Sequence, residues 1–142
     1  MEETSLENIF KVRIRYSETD QMGFVYYGNY ARFYEIGRTE LMRSIGIHYK
    51  SMEEQGIMMP VLSMEAKYLR PARYDDLIEI KTRVRTINEN AIVFESNIYN
   101  ESRELLNRGI VKLCFLDKHT YQRIPTPSFI IQKIAEYPTK KQ

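Results

Sequence analysis

At 142 residues, with 43% hydrophobic and 28% charged side chains, the chain has an ordinary globular composition and enough length to bury a core, which excludes disordered and fibrous classes. A net charge of +2 with no basic block argues against nucleic acid, and no window holds the ~20 apolar residues of a membrane helix. The acidic start Met1-Glu2-Glu3-Thr4 is unlike a signal peptide, and the lone Cys114 allows neither an internal disulfide nor a zinc cluster; the expectation is one cytoplasmic domain over residues 1–142, without a metal and without membrane insertion.

Residues 10–16 alternate, Phe10, Val12, Ile14 and Tyr16 against Lys11, Arg13 and Arg15, which predicts a half-buried antiparallel strand. The stretch that follows carries Asp20 between glycine-punctuated segments at Gly23 and Gly28 and predicts a loop. Tyr30, Phe33, Tyr34, Gly37, Leu41 and Ile45 then recur every three or four residues and predict the longest helix, with Asn29 as N-cap and Gly46 as its stop. Gly37 on that stripe costs about 1 kcal/mol of helix propensity relative to Ala. It therefore implies a close approach of the helix to a sheet.

Residues 48–56 predict a helical turn or two closed by Gly56. Alternation returns with Leu62, Met64, Ala66 and Tyr68 on one face, and residues 71–76 form a connection. A long strand over 77–87 sets Ile78, Ile80 and Val84 against Glu79, Lys81, Arg83 and Arg85, and Asn88-Glu89-Asn90 supplies a hairpin turn. Ile92, Phe94, Ser96 and Ile98 continue into the next strand, and Glu101-Ser102-Arg103 turns the chain again. The apolar run 110–116 predicts a central strand covered on both faces, with Cys114 as a buried strand thiol, and 118–123 a loop or strand extension. Thr126 as N-cap with Pro127 at the first helical position predicts a terminal helix to about Tyr137, stopped by Pro138.

Short turns force antiparallel neighbours, and the helix must bury its stripe on one face of the resulting sheet. The fold class is therefore α+β, a curved antiparallel sheet wrapped around one long central helix.

On the residues alone, Asp20 reads either as an ordinary turn carboxylate or as an acid/base group facing a helix N-terminus seven residues on. A carboxylate screened from water is a competent base, and free N–H groups at a helix start can hold an oxyanion. Tyr26 and Tyr27 read as packing side chains, the Tyr27 backbone being the part that bears on chemistry. Glu40 at the edge of the helical stripe is either a partner for Arg43 or a second carboxylate facing a site shared with another subunit. His48 and His119 read as surface residues. Arg70, Arg73, Lys118 and Arg123 read as solvated cations that could also meet phosphates.

The motif Tyr16-x-Glu18-Thr19-Asp20-x-x-Gly23-x-Val25-x-Tyr27-x-Asn29-Tyr30, with Glu35-x-x-Arg38-Thr39-Glu40 and Tyr68-x-x-Pro71-Ala72-Arg73-x-Asp75-Asp76, resembles the hotdog-fold acyl-CoA thioesterases of the 4-hydroxybenzoyl-CoA and Tol–Pal-associated type. The resemblance implies hydrolysis of an acyl-CoA thioester to a free carboxylic acid and coenzyme A, with coenzyme A as part of the substrate and no other cofactor. It implies Asp20 as nucleophile or general base, the Tyr27 and Gly28 amides as oxyanion site, Glu40 as a further catalytic candidate, and Gly23, Val25, Tyr26, Asn29 and Arg73 at the substrate. It also implies a homodimer or homotetramer with sites at the subunit boundary. An acyl-carrier-protein thioesterase and a non-catalytic acyl-CoA-binding module are the alternatives. At Gly28 the chain departs from the pattern, since many Tol–Pal-associated relatives carry histidine there, and a histidine-assisted mechanism is not implied.

Overall fold

A computed structural model describes residues 4–137. Its strands are β1 Glu7–Arg13, β2 Ile57–Met58, β3 Val61–Tyr68, β4 Leu77–Ile87, β5 Ile92–Tyr99, β6 Leu105–Leu113, β7 Phe115–Asp117 and β8 Arg123–Ile124, and its α-helices are α1 Tyr30–Ser44, α2 Tyr49–Glu54 and α3 Ser128–Ala135. Five strands pair antiparallel in the order β1-β4-β5-β6-β3, and β2-β7-β8 make a small second sheet that the alternation pattern did not announce. No helix among the described residues is long and apolar enough to cross a membrane.

The expected architecture is present: α1 packs across β1, β4 and β5. Its stripe of Phe33, Tyr34, Gly37 and Leu41 is buried, and Ile78, Ile80 and Val84 of β4 and Ile98 of β5 are fully enclosed on the sheet side. Each such side chain contributes roughly 1.5–3 kcal/mol by leaving water. Gly37 has the reason proposed for it, because a Cβ there would lie 2.2 Å from Thr82 Oγ1 and 2.8 Å from Ile80 Cγ2. At the other end of α1, Gly46 takes φ +83°, its N–H bonds Arg43 O at 3.0 Å and the Ile47 N–H bonds Met42 O at 2.9 Å. This is a Schellman cap, in which the left-handed residue lets the chain turn back onto the last free carbonyls.

Several expectations needed correction. The first strand ends at Arg13, so Ile14 is buried beyond it while Tyr16 opens a 3-10 turn over Tyr16–Glu18 and is exposed, its ring edge-on to Tyr74. β3 lies at the sheet edge, so its supposed core face is open to solvent: Leu62 is 47% and Met64 45% exposed. β6 begins at Leu105 and has one wet face with Arg108 and Lys112 exposed, and Cys114 sits buried in the break before β7 rather than within a strand. Thr126 does not cap α3, which starts at Ser128; the Thr126 hydroxyl donates to Asn88 O at 2.6 Å and ties the helix approach to the β4–β5 hairpin. Asn29 likewise makes no cap bond to α1. The stop assigned to Pro138 and the reading of Met1-Glu2-Glu3 fall outside the described residues.

Candidate active site

The loop that carries Asp20 is folded by its own backbone. Asp20 N–H bonds Phe24 O at 2.8 Å, and the Gly23 N–H bonds Asp20 O at 3.0 Å with Gly23 at φ +79°, a conformation that a side chain would strain. Asp20 Oδ1 accepts the N–H groups of Met22 at 2.9 Å and Phe24 at 3.3 Å, an Asx-type turn that fixes the carboxylate and leaves Oδ2 without a hydrogen bond among the described residues. The loop docks on the β3–β4 connection: Val25, itself buried, donates its N–H to Ala72 O at 2.8 Å, and Phe24 bridges to Arg73.

Glu18, which no sequence argument assigned a role, is the anchor. Its side chain is buried, Oε1 accepts the Arg15 N–H at 2.6 Å, and Oε2 pairs with Arg32 in the first turn of α1. Its carbonyl accepts the Tyr26 N–H at 2.9 Å and the Asn29 side-chain amide at 2.8 Å. Asn29 therefore holds the loop against the helix start instead of capping the helix.

A 3-10 turn over Tyr27–Asn29 leads into α1, and the Tyr27 and Gly28 N–H groups carry no backbone partner among the described residues. Such unpaired amides at a helix start can accept developing negative charge. The Tyr26 and Tyr27 rings lie against each other at 4.6 Å and are largely exposed, so neither packs in the core as the sequence suggested. A Cβ on Gly28 would come within 2.6 Å of the Tyr26 ring, so any larger residue there displaces that ring.

Asp20, Phe24, Val25, Tyr27, Tyr30 and Tyr68 line one open cavity of about 330 Å³, with Leu69, Arg70 and Pro71 completing its wall. The structure thus gathers Asp20, Val25 and Tyr27 at one place and keeps Gly23, Tyr26, Gly28 and Asn29 in the loop and turn that frame it. Arg73 is not among the lining residues; its guanidinium lies 5.3 Å from the ring centroid of Phe24, which is. Arg70 lines the cavity and pairs with Glu104 at 3.0 Å. Glu40 is not brought there within one chain; it pairs with Arg43 at 3.6 Å further along α1. Lys118 and Arg123 belong to the β7–β8 hairpin, where Arg123 donates to Asn90 O at 2.9 Å.

The screening from water that would strengthen Asp20 as a base is not present in the single chain, where the residue is exposed. Tyr68, Leu69 and Arg70, at and just beyond the end of the edge strand β3, line the same cavity as Asp20. A second cleft of about 320 Å³ lies near the other end of α1, between Ile45, His48, Phe129 and Lys133, and holds no carboxylate facing free amides. No cluster of metal-ligating side chains occurs among the described residues.

Residues 14–134 match the model of the Thioesterase-like superfamily. The chain is 33% identical over 114 residues to a putative acyl-CoA thioesterase of Bacillus subtilis, covering 80% of this chain and 83% of that one. It is 30% identical over 125 residues to an acyl-CoA thioester hydrolase of Escherichia coli, covering 88% and 93% of the two. Among solved structures, a DHNA-CoA thioesterase from Staphylococcus aureus superposes with a TM-score of 0.88 at 29% identity, covering 92% of this chain and 89% of that one.

Proposed function

Because the chain belongs to the thioesterase-like superfamily and has its hotdog fold, we propose that it hydrolyses acyl-CoA thioesters to a free carboxylic acid and coenzyme A. The reading is supported by the cavity that Asp20 and Tyr27 line together, the carboxylate fixed by its own loop and the Tyr27 N–H without a backbone partner among the described residues.

In this reading Asp20 Oδ2, the oxygen its own loop leaves free, takes a proton from water as that water's oxygen bonds to the thioester carbon. The carbonyl electron pair moves onto oxygen and is held by the Tyr27 and Gly28 N–H groups. When the C=O bond re-forms, the C–S bond breaks with its electron pair on sulfur, and the Asp20 proton goes to the thiolate. A thiol is acidic enough to leave well, so the larger demand is on the oxyanion, where one donor is worth roughly a hundred- to a thousand-fold in rate. Arg70 in the cavity wall and Arg73 beside Phe24 suit the phosphates of coenzyme A, and Gly23, Val25, Tyr26 and Asn29 shape the approach to the reacting carbon.

Assembly as a homodimer through β3, or as a homotetramer of such dimers, belongs to the same reading, since a second chain along that edge would cover Asp20 and supply the dryness its chemistry needs. The cytoplasm is the proposed compartment.

The test is turnover of short-chain, long-chain and aromatic acyl-CoAs by the purified protein and by Asp20→Asn. Loss of roughly 10²–10⁴ in kcat is expected for the variant. Wild-type rates in Asp20→Asn, or no turnover of any acyl-CoA by the native chain, would overturn the assignment.

A further inference from the structure

The two amides assigned to the oxyanion are consecutive in the chain and approach it from a single segment, which leaves the opposite side of the oxygen for a donor from another element. Three phenols line the cavity beside them, and their surroundings differ. Tyr30 is buried, and its hydroxyl oxygen is taken up by a backbone hydrogen bond from Ala72. Tyr27 is 64% exposed and its ring lies on Tyr26. Tyr68 stands apart from both. It is the last residue of β3, paired in register with Asn107 of β6, and its ring is held edge-on to Tyr30 with centroids 5.4 Å apart.

Its hydroxyl lies 3.4 Å from the carbonyl oxygen of Tyr27, well beyond the ordinary 2.5–3.0 Å of an O–H···O bond. That oxygen already accepts the Tyr30 N–H. The contact therefore adds little to the fold, and the phenol is a donor fixed beside the helix start with its proton nearly uncommitted. Since the side chain is 53% exposed, core packing does not account for it either.

We infer that Tyr68 is a catalytic residue: its hydroxyl, swinging from the Tyr27 carbonyl, is a further hydrogen-bond donor, beside the amides, to the oxygen of the thioester as the tetrahedral oxyanion forms. The inference rests on the thioesterase reading above. It adds to that reading a donor from β3, an element separate from the loop and helix that bring Asp20 and the two amides. No proton is transferred from Tyr68; it donates a hydrogen bond, strengthened as negative charge grows on the oxygen and released when the carbonyl re-forms. A donor that binds the oxyanion more tightly than the ground-state carbonyl raises kcat with little effect on substrate affinity.

Tyr68→Phe keeps the ring and its packing on Tyr30 and removes only the hydroxyl. Its kcat on the acyl-CoA that wild type turns over best should fall about a hundredfold, with KM within about threefold and an unchanged melting temperature. In the Asp20→Asn background, where substrate can be bound without turnover, adding Tyr68→Phe should leave the Kd for the same acyl-CoA within about threefold. A role in packing or substrate binding alone would instead shift the melting temperature, KM or that Kd. Full kcat in Tyr68→Phe beside an inactive Asp20→Asn would overturn this inference and leave the thioesterase reading standing; a wild-type chain inert to every acyl-CoA would take both down.

Discussion

Glu18 and Arg32 join the Asp20 loop to the first turn of α1 through an ion pair in which the carboxylate is buried and the guanidinium is more than half exposed. The asymmetry decides what breaking it does. Arg32→Ala leaves a carboxylate without its counter-charge in a site closed to water, whereas the Arg32 side chain freed by a change at Glu18 can return to solvent. Arg32→Ala should cost about 1–3 kcal/mol in urea unfolding. Glu18→Gln placed in that background should recover part of the loss, because it removes the uncompensated charge and keeps an acceptor for the Arg15 N–H. Additive losses in the double variant would count against the pair as the anchor.

Gly109 of β6 lies beneath the Tyr34 ring: a Cβ there would be 2.2–2.5 Å from three ring carbons. The ring cannot yield, since Tyr34 is buried and its hydroxyl donates to the buried Asn107. Gly109→Ala should therefore destabilise by about 1–3 kcal/mol through overpacking. In a Tyr34→Leu background, where the ring is gone, the same substitution should cost clearly less, and a double-mutant cycle on unfolding free energies measures the difference.

The stripe from Tyr30 to Leu41 and the strand alternation were legible because burial on one face imposes a period on the sequence, and Gly37 on that stripe advertised the helix-to-sheet contact. The position of Asp20 near a helix start was legible for the same reason: loop and helix are adjacent in sequence. The wall built by Tyr68, Leu69 and Arg70 was not, because its place beside Asp20 depends on β3 lying at the sheet edge after the long β4, β5 and β6 excursion. Alternation in β3 gives a face, and it says nothing of whether that face meets the core or the outside. Glu18 was passed over because a buried acid is indistinguishable in sequence from an exposed one until its partner Arg32 is brought up by the 3-10 turn between them. Thr126 and Asn29 carried cap-forming side chains that the fold spends on tertiary bonds instead.

The Tyr49 phenol makes the stability sensitive to high pH. Burial pushes its pKa up to about 12 from an ordinary 10, a nearby Arg38 opposing and Glu35 adding to the rise. A group that holds its proton more tightly when folded contributes stability that is fully present below the unfolded value and is lost as pH climbs through the folded one. Unfolding free energy should thus be level from neutral pH to about 9.5 and fall between about 10 and 12, with Tyr49 accounting for roughly 2 kcal/mol of the drop. Chemical denaturation of wild type and Tyr49→Phe across that range checks it: the variant's curve should be the shallower, and parallel curves would remove Tyr49 as the cause.

The edge strand β3 offers the sharpest test of assembly. Val61, Leu62, Met64 and Leu69 are all about half exposed, and the strand's free backbone edge runs to Tyr68, which lines the cavity. Unpaired apolar edges invite pairing with another chain, and lysine on an edge opposes it. A Leu62→Lys, Met64→Lys variant changes only solvent-exposed positions of the single chain, so the protomer should keep its circular dichroism. Light scattering should give a dimer or larger for wild type and a monomer for the variant. If the partner also closes the cavity over Asp20, the variant's kcat/KM on acyl-CoA should fall at least about tenfold, since water then competes for the carboxylate and the oxyanion amides. A monomeric variant with full activity would separate assembly from chemistry, and a wild-type chain that is monomeric at micromolar concentration would remove β3 as an interface altogether.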